Sequence, residues 1–163
     1  MKYTLQIRCI GRPQEDWQRQ AIHMYATRCA PFAKLEVIEY PEGHKHSSKP
    51  DIQKTLVIEA ASLLKNLPKD VLLIALDEHG KFLTSPDFAN LLNNPLAIRD
   101  SRLPTIVFFL GGSWGLDKSV LDACQHIISF GKITLPHSLA RIVLMEQIYR
   151  AQMILNGNAH YHK

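Results

Sequence analysis

The chain has 163 residues, of which 46% are apolar and 21% are charged, and its formal net charge is +4. This length and composition predict one globular domain over residues 1–163 and exclude disordered, collagen-like and fibrous chains. The three cysteines are scattered, and no apolar run approaches the roughly 18 residues that a membrane helix needs. Residues 1–11 lack a signal-peptide pattern, so we expect a cytoplasmic protein with reduced thiols.

The first half of the chain is predicted to alternate between strands and helices. The predicted elements are a strand over residues 3–10, a helix over 14–29, a strand over 34–40, a loop over 41–50 and a helix over 51–66. The alternating apolar residues of KLEVIEY are typical of a strand. The apolar faces expected for the two helices carry Trp17, Ala21, Met24 and Tyr25 in the first, and Leu56, Ala60, Leu63 and Leu64 in the second.

The second half continues this alternation. The predicted strands are residues 71–76, 105–110 and 126–130, and the predicted helices are a segment that begins near residue 85, then 116–124 and 137–155. The runs VLLIAL and TIVFFL are apolar throughout, which is typical of strands that are covered on both faces. Ser85 is predicted to cap its helix, with Pro86 in the first helical position.

This order of elements predicts an α/β fold with a largely parallel sheet and helices on both faces. In open sheets of this kind, ligands bind beyond the carboxyl ends of the strands. The candidate site loops are therefore residues 76–78, 111–116 and 131–137.

The last predicted helix is apolar around most of its circumference. Its apolar residues are Leu139, Ile142, Val143, Leu144, Met145, Ile148, Tyr149, Met153 and Ile154. A helix of this kind must be buried. Because a small domain has little room to enclose a terminal helix, the pattern indicates a subunit interface; the alternative is a helix packed deep in the core.

Two glycines follow the predicted strand over 105–110, in the sequence GGSWGL over 111–116. Glycines at this place let a ligand approach the backbone, and the next helix could present free amides to a carboxylate or phosphate. The alternative is a tight turn between strand and helix. The segment matches neither the dinucleotide-binding motif nor the P-loop, and Ser113 lacks the spacing of a hydrolase nucleophile.

Two cationic residues flank another of these loops. His137 and Arg141 are four positions apart at the start of the last helix, so they share a helix face. This spacing indicates a cationic face beside a ligand loop. The alternative is an ordinary histidine at a helix start, followed by a solvated arginine.

The remaining titratable clusters give weaker candidates. Residues 77–78 are acidic and form either an acid–base pair or an acidic turn at a strand end. The pairs His44 with His46 and His160 with His162 fall short of the three or four ligands that a metal site requires. We therefore predict no metal.

Three segments together resemble one family closely: FLGGSWGL over 109–116, ITLPHSLARIVLMEQIYRAQ over 133–152, and the terminal YHK. The chain resembles the ribosomal RNA large-subunit methyltransferase H family, small members of the SPOUT methyltransferases. The resemblance implies a trefoil knot in the C-terminal half and a homodimer. It also implies methyl transfer from S-adenosyl-L-methionine to N3 of a pseudouridine in large-subunit ribosomal RNA (23S), with the assembled ribosome as substrate.

The resemblance also implies the residues of the site. The implied cofactor contacts are Leu76, Gly112, Gly131, Lys132, Ile133, Thr134, Leu135 and Pro136, and the implied catalytic residues are His137, Arg141, Tyr161 and His162. The basic loop, with Lys45 and Lys49, and the terminal Lys163 are expected to hold RNA phosphates. The chain departs from the pattern of many relatives at His160, where they have proline, at Lys163, where they have arginine, and at Ser113-Trp114, where they have Pro-Glu.

The implied reaction requires that N3 of pseudouridine, a weakly acidic imide, lose its proton. His137 or His162 is expected to act as the base, and Arg141 to stabilise the anion that forms. Two other functions remain open from the residues alone. One is a non-catalytic module that binds RNA on the ribosome, and the other is a nucleotide-binding protein that uses the GGSWG loop for phosphate.

Overall fold

The structure, a computed structural model, describes residues 4–43, 49, 51–69, 71–93 and 105–161, apart from the side chain of residue 159. Its strands are β1 (Thr4–Ile10), β2 (Lys34–Tyr40), β3 (Val71–Phe82), β4 (Thr105–Leu110) and β5 (His126–Ser129). Its helices are α1 (Asp16–Cys29), α2 (Ile52–Leu63), α3 (Ser85–Asn93), α4 (Lys118–Ala123) and α5 (His137–Leu155), followed by a short 3-10 turn over Ala159–Tyr161.

The five strands form one sheet in the order β2-β1-β4-β3-β5, and every neighbouring pair is parallel. The apolar runs of β3 and β4 lie at its centre, where both faces of a strand are covered. Helices lie on both faces. Alternate residues of β4 belong to two apolar clusters, because Ile106 and Phe108 pack with α1, α3 and α5, whereas Val107 and Phe109 pack with α2 and α4. The predicted fold class is confirmed.

Capping side chains place the starts of two helices one or two residues after the predicted starts. Asp51 accepts the Lys54 amide at 3.1 Å and so precedes α2. Asp117 does the same for α4 through the Ser119 amide at 2.9 Å. These side chains satisfy amides that have no partner within their helices.

The predicted cap of α3 is wrong by one residue. Thr84 precedes the helix, and its hydroxyl accepts the Asp87 amide at 3.2 Å, while Asp87 accepts the Thr84 amide at 3.3 Å. Ser85 is instead the first helical residue. Its hydroxyl donates to Gln147 on α5 at 2.9 Å, so this side chain joins two helices.

Strand β3 is longer than predicted. It pairs with β5 up to Leu76, and after a register shift it pairs again at Lys81 and Phe82. Gly80 lies against the backbone of Ile128, because a Cβ at Gly80 would be 2.5 Å from the Ile128 carbonyl carbon. Sequence periodicity missed this extension because DEHGK has no alternating apolar residues. The trefoil knot stays a prediction, since residues 94–104 lie outside the described residues.

The apolar face predicted for α1 is partly wrong. Trp17 and Met24 are 51% and 38% exposed, and the inner face instead contains Gln18 and Cys29. Gln18 is buried because its amide oxygen accepts the backbone amides of residues 14 and 15, and its amide nitrogen donates to Ser138. Gln18, which caps its own helix, thus occupies the inner face of α1, and Trp17 lies on the outer face.

Helix α5 is buried within a single chain. None of its residues is exposed, and it packs between α1 and α3 beneath the sheet. Ile148, for example, is fully buried in the core of the chain. Several of its apolar residues, such as Ile142 and Val143, are only half-buried. The alternative of a deep core helix therefore accounts for part of the apolar sequence, and the homodimer stays a prediction. None of the described helices is long and apolar enough to cross a membrane.

Candidate active site

The candidate site lies where β1 and β4 end side by side. The chain leaves β1 for β2 on one side, and it leaves β4 for β5 on the other. Such a reversal opens a crevice at the carboxyl edge of a parallel sheet, which is where ligands bind in this architecture. Gly11 follows β1 and Gly111 follows β4, so both strands end in backbone without side chains.

The glycines after β4 form a closed turn. The Gly115 amide donates to the Gly112 carbonyl at 3.2 Å, and a Cβ at Gly111 would lie 2.0 Å from the Gly115 oxygen. Gly115 also has a φ of +80°, which side chains rarely adopt. The tight-turn interpretation of GGSWGL is therefore confirmed, and the turn presents Ser113 and Trp114 to solvent.

Gly112 is enclosed by the protein itself. A Cβ on this residue would lie 3.0 Å from Ile10 Cγ2 and 3.3 Å from Glu59 Oε2. A larger residue would therefore disturb the turn before it could occupy ligand space. Glu59 is buried on α2, and its Oε1 accepts the Gly43 amide at 3.0 Å. This carboxylate thus lies close to the glycine turn and binds the Gly43 amide, just before the basic loop.

The loop Gly131–Pro136 leaves β5 and leads into α5. Gly131 has a φ of +124° and open space around its Cβ position, while Ile133 is 82% exposed. Ser129 fixes the start of the loop, since its hydroxyl accepts the Gly131 amide at 3.2 Å. Beside Gly131 lies a cavity of about 300 Å³ whose lining includes Phe82, Phe88, Phe130 and Val143.

His137 begins α5 and lies against the end of β1. Its Nε2 is 3.1 Å from the position that a Cβ on Gly11 would occupy. Partial burial lowers the pKa of His137 from its ordinary value, and the charge of Arg141 lowers it further, whereas Glu42 acts in the opposite direction. The imidazole is therefore neutral at neutral pH and can accept a proton.

Arg141 is buried, so the alternative of a solvated arginine is wrong. It is 1% exposed; its Nη2 donates to the Gly11 carbonyl at 2.9 Å, and its Nη1 pairs with Glu39 Oε1 at 2.5 Å. No acceptor for its Nε lies among the described residues. Arg141 thus holds the first turns of α5 against the ends of β1 and β2. At the site, its side chain contacts Gly11 and its charge lowers the pKa of His137.

Tyr161 lies far from this cluster within one chain. Its ring meets Tyr149 edge-on at 5.9 Å between centroids, and Arg150 lies 5.4 Å from the ring centre. These two contacts hold Tyr161 against the C-terminal part of α5. Between His137 and Tyr149, α5 advances by about 18 Å at roughly 1.5 Å per residue. The structure therefore brings His137 and Arg141 together, but not Tyr161.

The other predicted residues are placed less fully. Leu76 is half-buried at the last regular pairing of β3, and Lys49 is exposed. His162, Lys163 and Lys45 lie outside the described residues, as do His44 and His46. Across the described ranges, no three His, Cys, Asp or Glu side chains group together as metal ligands would.

Two carboxylates near the site, the half-buried Glu39 and the buried Glu59, were missed from the sequence. Glu39 pairs with Arg141, and Glu59 lies beside Gly112. The sequence contains a signal for Glu59, because it interrupts the apolar face formed by Ala60 and Leu63 on α2. A charge at such a position requires partners inside the protein.

The acidic residues Asp77 and Glu78 lie within the extended β3, so the acidic turn at a strand end is not found there. Asp77 Oδ1 accepts the His79 amide at 2.9 Å and lies 3.1 Å from His79 Nδ1. The cysteines are unsuited to catalysis, since burial raises the pKa of Cys9 to about 12 and of Cys29 to about 11. All three cysteines are free, as predicted.

Comparison with known proteins decides the family. The family model described as "Predicted SPOUT methyltransferase" matches residues 1–162. Ribosomal RNA large subunit methyltransferase H of Geobacter metallireducens is 35% identical over 158 residues, covering 97% of this chain and 98% of the relative. The chain belongs to the ribosomal RNA large subunit methyltransferase H family. These matches confirm the family that the sequence resembles and the cofactor that the resemblance implies, S-adenosyl-L-methionine.

Two further likenesses accompany this match. A protein of Methanococcus maripaludis, which bears the same methyltransferase H name with a provisional mark, is 38% identical over 156 residues, covering 94% of this chain and 96% of the relative. A SpoU methyltransferase of Streptomyces viridochromogenes, solved in complex with AdoMet, aligns at 16% identity with a TM-score of 0.48, covering 94% of this chain and 59% of that one.

We expect His137 to titrate below its ordinary pKa of 6.5. Glu42→Gln should lower the pKa of His137 further, because it removes the charge that favours the imidazolium. Because the folded pKa is the lower one, the free energy of unfolding should fall as pH drops from 6.5 toward it, and His137→Gln should flatten that dependence. NMR titration and urea unfolding measure both effects. A measured pKa of 6.5 or higher for His137 would contradict the expected lowering of its pKa.

Proposed function

We propose that this chain methylates N3 of a pseudouridine in large-subunit ribosomal RNA, acting on the assembled ribosome in the cytoplasm. The observation that carries the proposal is the neutral imidazole of His137, which lies against Gly11 at the carboxyl edge of the sheet. The names of the near full-length relatives support ribosomal RNA as the substrate. The N3 position and the assembled ribosome rest on the resemblance described above.

The residues at this edge fit the cofactor. The loop Gly131–Pro136 offers backbone groups for an adenine, the exposed Ile133 for apolar contact, and open space at Gly131. When bound, S-adenosylmethionine supplies an electrophilic methyl group on a sulfonium.

The protein contributes the base and its placement. N3 of pseudouridine must lose its proton before it can attack, and a neutral imidazole can accept that proton. Arg141 donates a hydrogen bond to the carbonyl of Gly11, and His137 packs against the same glycine. The charge of Arg141 also favours the neutral form of His137. Activity should therefore decline as pH falls through the lowered pKa of His137, because the imidazolium has no site for the proton.

The reaction is tested on the product. Ribosomes from a strain that lacks this methyl group should, after incubation with the protein and S-adenosylmethionine, yield N3-methylpseudouridine upon nucleoside analysis of the large-subunit RNA. His137→Gln should reduce the rate by roughly 100-fold or more, in the range for loss of a general base. Equal methylation of deproteinised RNA would contradict the assembled ribosome as substrate, and a methyl group on another atom would contradict the N3 assignment.

Ile133 provides a test of the cofactor loop. Because its side chain is 82% exposed, Ile133→Ser should leave the free energy of unfolding unchanged. Loss of an apolar contact should weaken S-adenosylmethionine binding by about tenfold or more, as measured by calorimetry. The control is Val57→Ser, which alters a half-exposed apolar residue on α2. Equal affinities for the two variants would remove Ile133 from the site.

We further propose that the active enzyme is a homodimer with composite sites. The face of α1 with Trp17 and Met24 is uncovered in a single chain, and it is the contact surface of the proposed dimer. Tyr161 lies too far along α5 to meet His137 of its own chain. If the tail takes part in catalysis, it does so in the site of a second copy.

The composite site is tested with a mixed dimer. One chain has His137→Gln and the other ends after Tyr161, so that the packing of Tyr161 on Tyr149 is kept. The two chains are co-expressed with different affinity tags and purified through both. Each homodimer should be nearly inactive, whereas the mixed dimer should regain one working site from an intact His137 and an intact tail. A mixed dimer as inactive as its parents would show that each site is built from one chain.

A further inference from the structure

Trp114 lies at the tip of the glycine turn and has no role in the core. It is 45% exposed. Within the described part of the chain, its ring has neither an aromatic nor a cationic neighbour in stacking range. Exposed tryptophans lose little entropy on binding and present a large flat face, which is why they concentrate at recognition surfaces.

The turn that bears Trp114 is held on both sides. Gly115 closes it by a hydrogen bond to Gly112, and Gly112 is fitted between Ile10 and Glu59. Asp117 then caps α4 directly after it. A side chain on such a turn is presented in a defined place, as a stacking platform requires.

The surroundings of Trp114 suit a polyanion. The turn lies at the carboxyl edge of β4, beside the end of β1, where Arg12 has an 83% exposed side chain. Lys132, in the loop after β5, is exposed at the same edge. Glu59, which lies close to the turn, also accepts the Gly43 amide. Exposed cations next to an exposed aromatic ring are the combination that binds single-stranded RNA.

We infer that Trp114 stacks on an unpaired base of the substrate RNA and so fixes the RNA beside the cofactor loop. This inference rests on the proposed function and adds a binding residue to it. RNA loops are recognised largely through bases that stack on aromatic side chains, with phosphates held by cations. The indole therefore supplies affinity and register, while proton transfer stays with His137.

The test compares four forms of the full-length protein: wild type, Trp114→Phe, Trp114→Leu and Trp114→Ala. Phenylalanine keeps a flat aromatic face, whereas leucine keeps only apolar bulk. We expect Trp114→Ala and Trp114→Leu to raise KM for ribosomes by roughly 5- to 150-fold, the range for loss of one base–aromatic stack, with kcat changed far less. Trp114→Phe should restore most of the lost affinity.

Calorimetry with S-adenosylhomocysteine completes the test, and all four forms should bind it equally. If the KM for ribosomes of Trp114→Leu is as low as that of Trp114→Phe, the contact is merely apolar and the inference fails. If the alanine variant loses cofactor affinity by the same factor as ribosome affinity, Trp114 covers the cofactor and the inference also fails. Unchanged KM in all variants would overturn it while leaving the proposed function intact, whereas a wild type without methylation would overturn the proposed function itself.

Discussion

The pairing of the buried Arg141 with Glu39 and with the carbonyl of Gly11 is the constraint on which the site depends. It ties the first turns of α5 to the ends of β2 and β1, and it therefore places His137 against Gly11. Glu39 is 27% exposed and also lies 3.8 Å from Arg12. Loss of Arg141 should therefore cost less than the roughly 3–5 kcal/mol that is typical of breaking a fully buried pair. Arg141 is thus a positioning residue in this structure, and its replacement would lower stability and activity together.

Glycines extend this constraint along the carboxyl edge. Gly11 has a φ of +80°, and any side chain on it would meet the His137 ring. Gly112 is confined in the same way by Ile10 and Glu59 on the α2 side of the sheet. The two glycines let β1 and β4 end without side chains. His137 lies on one face of the crevice, and Glu59, which accepts the Gly43 amide, lies on the other. Backbone geometry, rather than a set of polar side chains, builds the crevice.

Sequence reasoning succeeded where burial alone decides the structure. The runs VLLIAL and TIVFFL had to be central strands, and the alternation of elements then required a parallel sheet with its site at the carboxyl edge. It failed where one long-range contact overrides a local pattern. Arg141 looks solvated in sequence because Glu39 is far away along the chain, and Trp17 looks buried because the capping role of Gln18 cannot be read from helical spacing. Helical spacing and the family resemblance both pointed to His137 and Arg141, but neither gave what each side chain contacts.

The length of α5 limits how catalysis can be organised. The helix must be buried to hold the core, and this fixes its two ends at opposite sides of the domain. His137 lies at one end, and Tyr161 is anchored on Tyr149 toward the other. Moving the tail to His137 of the same chain would require releasing Tyr161 from Tyr149 and Arg150 and spanning about 18 Å. If the tail takes part in catalysis, as proposed above, a site shared between two chains would avoid releasing Tyr161 from its contacts.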